Sequence, residues 1–179
     1  EYLISRSNRR AKQQNRSRDL EDVIHTGDKI IDIIIKTPLC NRILNFTPPK
    51  EIRTEFYDLT FASPVLFSSF QGNLSLIEMW LRLGMGGGVL KTILEKPRDG
   101  NKRPRIQEII NSEGDKALIN AMGLPGKGVY KFIQDLKQSS LVENKAPLGF
   151  SVGGKSTNEY VSVITHIESQ FKDEKTPYF

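Results

Sequence analysis

One lysine stands inside a short apolar segment, Gly88-Val-Leu-Lys-Thr92, whose aliphatic and β-branched residues predict a buried strand. Lys91 falls near the carboxyl end of that strand. A buried ammonium group is costly unless an anion pairs with it, so this position favours a site that stabilises negative charge. The alternative is a lysine whose aliphatic stem lies along the strand while its amine reaches solvent.

A second candidate is the loop Asn120-Ala-Met-Gly-Leu124, which follows a hydrophobic run and leads into a glycine-rich turn. The side-chain amide of Asn120, followed by the backbone N–H groups of Met122, Gly123 and Leu124, is suited to binding a small anionic ring. An ordinary glycine-rich connection has a similar composition. The loop taken alone therefore leaves both interpretations open.

Three other chemistries are not supported by the sequence. The stretch Gly84–Gly88 lies between a predicted helix and the following strand, whereas a dinucleotide-binding fingerprint lies between a strand and the next helix. The segment Gly126-Lys-Gly128 lacks the spacing and the Ser/Thr of a P-loop. The chain has one cysteine, Cys40, so it cannot form an internal disulfide. Cys40 and the two histidines also lack the spacing of a metal site. We predict no metal and a packed, unreactive Cys40, which suits a reducing compartment.

Lys91 and the other candidate residues can form one site only if the strands that carry them are neighbours in a sheet. Short apolar strands are predicted at residues 64–69, 88–92 and 147–152, and each precedes a segment with helical spacing. The second strand is separated from its helix by what reads as a long polar loop. This alternation predicts a parallel sheet with helical crossovers, and residues 176–179 look like the start of a fourth strand. Alternation alone does not distinguish a closed barrel from an open sheet.

A pair of short helices is predicted before the first strand. Apolar residues from Leu20 to Ile34 follow helical spacing, Asp19 is placed to cap the first turn, and Pro38 is a good start for a second helix. Such a pair can pack against the domain. It can instead form an amphipathic patch on a membrane surface or a tunnel for an apolar acceptor.

Composition narrows the class of protein. The chain has 179 residues, 37% hydrophobic and 26% charged, which fits one globular domain or part of a larger one. Residues 1–18 carry six basic residues and one acidic residue, whereas the rest of the chain is neutral. We therefore expect a basic flexible arm and no nucleic-acid surface on the folded part. No window approaches the roughly 18 to 20 apolar residues of a membrane-spanning helix.

Three segments, taken together in order and spacing, resemble the dihydroorotate dehydrogenase family. They are GGGVLKTILEKPRDGNKRPR at 86–105, ALINAMGLPGKG at 117–128 and PLGFSVGGKSTNEYVSVITHI at 147–167, within a resemblance that covers about residues 55–179. The resemblance implies an α/β (β/α)8 TIM barrel that binds FMN. This chain would supply its first three to four βα units, with an arm at 1–18, a helical hairpin at 19–50 and the barrel part at 51–179.

The same resemblance implies roles for individual residues. Lys91 would be catalytic, stabilising charge on the flavin and the substrate, and Asn120, Met122, Gly123 and Leu124 would bind the pyrimidine ring and its carboxylate. The residues implied to bind the cofactor are Ser68, Ser69, Lys91, Thr92 and Ser151. One departure is Phe70, which stands where the family usually has glycine and could crowd the flavin.

The implied activity is oxidation of dihydroorotate to orotate in pyrimidine biosynthesis, with a quinone, fumarate or an NAD-linked partner accepting the electrons. The catalytic base and the remaining barrel half are expected beyond Phe179, in the same chain or a second one. The expected location is cytoplasmic, or peripheral at a membrane, which in a eukaryote is the inner mitochondrial membrane. The alternatives are a non-catalytic family member that serves as a structural or assembly subunit, and a related FMN reductase of another pyrimidine.

Overall fold

The computed structural model describes residues 19–172 together with Tyr2, Ser5, Arg6, Arg9 and Lys12. The predicted fourth strand and most of the basic arm lie outside the described residues. The elements in chain order are α1 (Glu21–Ile34), α2 (Pro38–Ile43), a 3₁₀ turn (Lys50–Ile52), β1 (Thr54–Phe56), β2 (Leu59–Phe61), β3 (Leu66–Phe67), α3 (Leu74–Arg82), β4 (Gly87–Ile93), β5 (Ile106–Ile110), β6 (Lys116–Asn120), α4 (Val129–Lys137), a second 3₁₀ turn (Ser140–Val142), β7 (Leu148–Val152) and α5 (Thr157–Phe171).

The chain is organised in two compact units. The first comprises residues 1–30 and 99–125, and the second comprises residues 31–98 and 126–179. The three-part division expected from the sequence stays a prediction. The predicted parallel sheet belongs to the second unit, and the predicted substrate loop belongs to the first.

The sheet of the second unit confirms the strand-helix alternation predicted from the sequence. Strands β3, β4 and β7 lie side by side in chain order and all run parallel, with Leu66 opposite Gly87 and Gly88 opposite Leu148. The connections pass through α3 and α4, and α5 follows the last strand. Neighbouring strands that follow chain order without a reversal are the way a (β/α)8 barrel begins.

Local sequence explains where the helices start. The Asn73 side chain accepts a hydrogen bond from the N–H of Leu76 at 3.1 Å, and the Ser156 hydroxyl accepts one from the N–H of Glu159 at 3.4 Å. Asp19 accepts one from the N–H of Glu21 at 3.0 Å. Each side chain satisfies an amide that has no partner within its helix, and the cap at Asp19 was predicted from the sequence.

A single apolar cluster holds the second unit together. Leu90 on β4 and Leu148 on β7 are fully buried, and the helices bury Ile77, Leu136 and Val163 against them. These residues recur at strand or helix spacing, so one face of each element turns toward the core. Removing five large apolar side chains from water contributes on the order of 10 kcal/mol to folding.

The segment read as a polar loop is a β-hairpin, so that prediction was wrong. Strands β5 and β6 pair antiparallel, with Ile106 opposite Asn120 and Ile110 opposite Lys116. The side chain of Asn111 closes the turn by accepting hydrogen bonds from the N–H groups of Glu113 and Asp115. Glutamate and lysine interrupt the apolar residues and most of the hairpin is exposed, so its period-two pattern is weak.

Ion pairs join the two parts of the first unit. Glu21, which is only 4% exposed, accepts hydrogen bonds from Arg105 Nε at 2.7 Å and Nη2 at 2.5 Å. Arg103 donates to Asp19 at 2.6 Å and to Asp22 at 2.9 Å. This hydrogen bonding holds the pKa of Glu21 below its ordinary value, chiefly through Arg105.

The helical pair is present, but much of the apolar stripe that ends α1 is left exposed by the described residues. Ile24, Ile30, Ile33 and Ile34 are each more than two fifths exposed, whereas Cys40 on α2 is buried as expected. Beyond α2, the N–H of Phe46 donates to the carbonyl of Arg82 at 2.8 Å within the second unit. No helix in the described part of the chain combines the length and apolar character needed to span a bilayer.

The glycine-rich stretch that leads into β4 allows strands and loops to approach closely. A Cβ at Gly86 would lie 2.0 Å from the carbonyl oxygen of Ser63, and a Cβ at Gly88 would lie 2.5 Å from that of Phe67. Phe67 belongs to the neighbouring strand β3, so its carbonyl cannot move away from a Cβ at position 88 without disturbing the sheet. Packing therefore accounts for these glycines without a dinucleotide.

We predict that Gly88→Ala lowers the free energy of unfolding by roughly 2 kcal/mol or more, because the added methyl group forces β3 and β4 apart. Gly126→Ala is the matched control, since a Cβ there meets nothing within 4 Å, and it should change stability by about 0.5 kcal/mol or less. Urea unfolding followed by the fluorescence of Trp80, the single tryptophan, measures both. Equal midpoints for the two variants would contradict the close-approach explanation.

The first unit should respond to acid through Glu21. Because its pKa is lowered on folding, the ionised carboxylate contributes stability that is fully present above its ordinary value of 4.5 and is lost as the pH falls through the folded-state pKa. We predict that Glu21→Gln speeds exchange of the Leu20 amide, which donates to Ile106, by about tenfold or more at pH 7.

That exchange ratio between variant and wild type should fall toward one as the pH drops below the folded-state pKa of Glu21, where the wild-type carboxyl is itself neutral. Comparing the two proteins at the same pH removes the intrinsic pH dependence of amide exchange. Hydrogen exchange followed by NMR measures the ratio. A ratio that stays constant from pH 7 down through the acid range in which Glu21 becomes protonated would show that the charge of Glu21 does not stabilise this unit.

Candidate functional site

The polar residues predicted to bind a cofactor gather at the carboxyl ends of three neighbouring strands in the second unit. Lys91 and Thr92 precede the last residue of β4, Ser151 precedes that of β7, and Ser68 and Ser69 directly follow β3. Parallel strands end at the same edge of a sheet, and barrel enzymes build their sites at that edge. The structure therefore places these five predicted residues along one edge.

A β-bulge lies at the centre of this edge. Leu90 is opposite Phe150 and Ile93 is opposite Val152, so two residues of β4 face the single residue Ser151 between these pairs. The two residues are Lys91 and Thr92. A bulge of this kind redirects side chains and is frequent beside active sites.

The bulge brings two hydroxyl groups together. The side-chain oxygens of Thr92 and Ser151 are hydrogen-bonded at 2.9 Å, although 59 positions separate the residues in sequence. Both side chains are half-buried. Each hydroxyl has a donor hydrogen and two acceptor lone pairs, so the pair keeps capacity to bind a polar ring edge.

Lys91 is anchored to the loop between β3 and α3. Its N–H donates to the carbonyl of Gln71 at 3.2 Å, and its side chain crosses Gly72, where a Cβ would lie 3.3 Å from Lys91 Cδ. The side chain of Gln71 accepts hydrogen bonds from the N–H groups of Gly72 and Asn73 at 2.7 and 2.8 Å. No pattern in the sequence indicated this role of Gln71, which orders the loop that Lys91 crosses.

Phe70 packs toward α3. Its ring lies 5.5 Å from that of Trp80, which in turn lies 5.6 Å from Phe67, and Phe70 remains 64% exposed. The N–H of Phe70 donates to the carbonyl of Ser68 at 2.8 Å, which makes the chain turn tightly after β3. Its backbone is not left-handed, so the conformation at this position does not require glycine. Crowding of a flavin by Phe70 stays a prediction.

The predicted substrate loop follows β6 in the first unit. Asn120 ends β6 with an exposed side chain, and Gly123 and Leu124 adopt left-handed backbone angles, with φ of 72° and 54°. Among the described residues, none accepts a hydrogen bond from the N–H of Met122, Gly123 or Leu124. Consecutive amides in such a turn form a concave site for an anion.

The carbonyl groups of this loop are bound from the other side. Asn101 donates from its side chain to the carbonyl of Ala121 at 2.8 Å and from its backbone to that of Met122 at 3.0 Å. The N–H of Ala121 donates to the carbonyl of Arg105 at 2.9 Å. Sequence reasoning missed Asn101 and Arg105, although both lie in the GNKRPR part of a segment that resembles the family.

Comparisons with known proteins point to one family. The profile of the family described as dihydroorotate dehydrogenase matches residues 51–174. A Thermus thermophilus dihydroorotate dehydrogenase (quinone) is 26% identical over 71% of this chain and 38% of its own length. The catalytic subunit of an Endomicrobium trichonymphae dihydroorotate dehydrogenase B (NAD(+)) is 30% identical over 67% of this chain and 38% of its own length.

The fold is shared with solved structures. The crystal structure of DHODH from Eimeria tenella in complex with ferulenol superposes with a TM-score of 0.58 at 18% identity, covering 82% of this chain and 40% of that one. The parallel sheet of the second unit is therefore part of a TIM barrel. The chain spans about two fifths of the length of the relatives it matches. On the family match over most of its residues, this chain belongs to the dihydroorotate dehydrogenase family.

Proposed function

We propose that this chain is the amino-terminal part of a dihydroorotate dehydrogenase that oxidises dihydroorotate to orotate with FMN in pyrimidine biosynthesis. The observation that carries the proposal is the bulge of β4, which presents Lys91 beside the hydrogen-bonded hydroxyls of Thr92 and Ser151 at the active edge of a parallel sheet. The family match covers this whole region. A structural strand end would not require a lysine and two hydroxyls together.

The side chains at the strand ends fit a flavin. The hydroxyls of Ser68, Ser69, Thr92 and Ser151 and the ammonium of Lys91 are donors that complement the oxygen and nitrogen atoms on the polar edge of an isoalloxazine ring. Gly72 leaves room for the lysine stem, and the Phe70 ring rests against Trp80. FMN, when bound, supplies a hydride acceptor. We infer that these five residues hold it.

The loop in the first unit is the proposed substrate site. The side-chain amide of Asn120 can donate to and accept from a pyrimidine ring, and the amides of Met122, Gly123 and Leu124 can donate to its carboxylate. Lys91 would stabilise negative charge that develops on the reacting groups. The base that removes the substrate proton is expected in the part of the barrel that this chain does not include.

Completion of the sheet is a further requirement of this function. Strands β3 and β7 are the edges of the three-stranded parallel sheet, and Val65 and Leu66 beside one edge are about half exposed. Unpaired parallel edges are unfavourable, so we propose that the remaining strands pair here, in the same chain or a second one. An electron acceptor completes the cycle, and a quinone, fumarate and an NAD-linked partner all stay open.

A second candidate function is a structural or assembly subunit without catalysis. The observation that favours it is Phe70, a bulky residue directly after β3 where the family usually has glycine. Loss of flavin binding with retention of the barrel is the expected signature of such a subunit. A flavin titration of the complete protein separates the two functions.

We predict that Lys91→Ala lowers the rate of flavin reduction by dihydroorotate by about 10² or more, because it removes a preorganised cation from the site. FMN affinity should weaken without being abolished, and folding should be preserved, since the substitution removes a half-buried charge. Stopped-flow bleaching of the flavin in the complete protein measures this step.

Lys96→Ala, which removes an exposed lysine just beyond β4, serves as the control and should leave the rate unchanged. An unaltered reduction rate in Lys91→Ala would remove the catalytic role assigned to this residue. A wild-type protein that binds no flavin would instead support the structural subunit.

A further inference from the structure

A continuous set of hydrogen bonds connects the first turn of α1 to the proposed substrate loop. It starts at Glu21, whose side chain is 5% exposed, and passes to Arg105, whose side chain is 11% exposed. The two residues are 84 positions apart in sequence. From Arg105 the set continues through residues 99–101 to Ala121 and Met122.

Arg105 is the branch point of this set. Its Nε and Nη2 bind the two carboxylate oxygens of Glu21, while its Nη1 donates to the carbonyls of Asp99 at 2.5 Å and Asn101 at 3.0 Å. The guanidinium is planar, so fixing one side of it on the carboxylate fixes the direction of Nη1 as well. Glu21 thereby sets where residues 99–101 are held.

Residues 100 and 101 in turn fit closely against the substrate loop. A Cβ on Gly100 would lie 2.2 Å from the carbonyl oxygen of Met122, and a Cβ on Gly123 would lie 2.7 Å from the side chain of Asn101. Both glycines have left-handed backbone angles. Asn101 also donates hydrogen bonds to the carbonyls of Ala121 and Met122, so a shift of one loop is transmitted to the other.

We propose that Glu21 is a positioning residue for the substrate loop, acting through Arg105 and Asn101. The helix before the barrel then sets the affinity for the pyrimidine carboxylate by ordering the amides of Met122, Gly123 and Leu124. This inference rests on the proposed function, because it takes the loop to be the substrate site.

A role in substrate positioning differs measurably from a general contribution to stability. Asp22 also pairs with an arginine from the same segment, but its side chain is 64% exposed. Its partner Arg103 lies 3.2 Å from Glu21 as well, yet it makes no described contact with residues 99–101 or 120–124. An exposed ion pair contributes little. Asp22→Asn is therefore the matched control for removal of a carboxylate from the first turn of α1.

The experiment uses the complete FMN-loaded protein and orotate as the probe. We expect Glu21→Gln to raise the dissociation constant of orotate, followed by the flavin absorbance change, and the KM for dihydroorotate by about tenfold, with the maximal rate of flavin reduction changed less than about threefold. A raised dissociation constant and KM with a nearly unchanged maximal rate shows that the variant binds the substrate less tightly but still carries out the chemical step. Asp22→Asn should leave both constants unchanged.

Arg105→Lys is a second variant that keeps the charge next to Glu21. A lysine cannot bind two carboxylate oxygens and two carbonyls in one plane, so it should show the same split even if Glu21→Gln folds poorly. Hydrogen exchange of the Asn101 and Ala121 amides should quicken about tenfold in both variants. Exchange at Gly153 in the other unit, whose N–H donates to Ile93, should stay the same.

The outcomes are separable. Unchanged exchange at Asn101 and Ala121 would overturn the coupling between Glu21 and the loop. Faster exchange with an unchanged orotate dissociation constant would overturn the role in substrate positioning. A wild-type protein that binds FMN but no orotate would overturn the proposed function, and the exchange data would still decide whether the coupling exists.

Discussion

The pairing of β4 with a parallel strand on each side is the constraint on which the proposed cofactor site depends. A strand paired along both edges cannot slide without moving its whole apolar face out of register, and Leu90 on β4 is fully buried. Because this register is set on both sides of the bulge, the extra residue between Leu90 and Ile93 must be accommodated within β4. The bulge follows, and with it the juxtaposition of Thr92 and Ser151.

The first unit is built on a different principle. Few apolar side chains are buried among its described residues, Leu20 and Ile106 being two of them, and the β5–β6 hairpin exposes Leu118 and Ile119. A two-stranded hairpin is marginal in water by itself. The bidentate contact between Glu21 and Arg105 supplies the missing tertiary link, and because both side chains are largely buried, each requires the other.

Whether a feature could be predicted from the sequence depends on how far apart its interacting residues lie along the chain. Strands 88–92 and 147–152 and the cap Asp19 depend on residues that are close in sequence, so local pattern was enough to predict them. The β5–β6 hairpin was missed because its strands are short, exposed and mixed with charged residues.

Other features were beyond the reach of local pattern. The β4 bulge depends on register against a strand about 60 residues away, and the pairing of Glu21 with Arg105 joins positions 84 residues apart. No periodicity in a single sequence encodes either contact. The family resemblance supplied the residues at the strand ends, but the contacts that order them became visible only in the structure.

The proposed cofactor residues and the proposed substrate loop lie in different units, and different interactions hold each of them in place. The strand-end residues are held in place by a sheet whose stability comes from burial of apolar side chains, and that burial does not depend on pH. The loop is ordered through an ionised carboxylate whose pKa is lowered by Arg105, so this support weakens as acid protonates Glu21. Acid should therefore release the loop while the strand ends are still in place. Affinity for an anionic pyrimidine is then expected to be more sensitive to acid than affinity for the flavin.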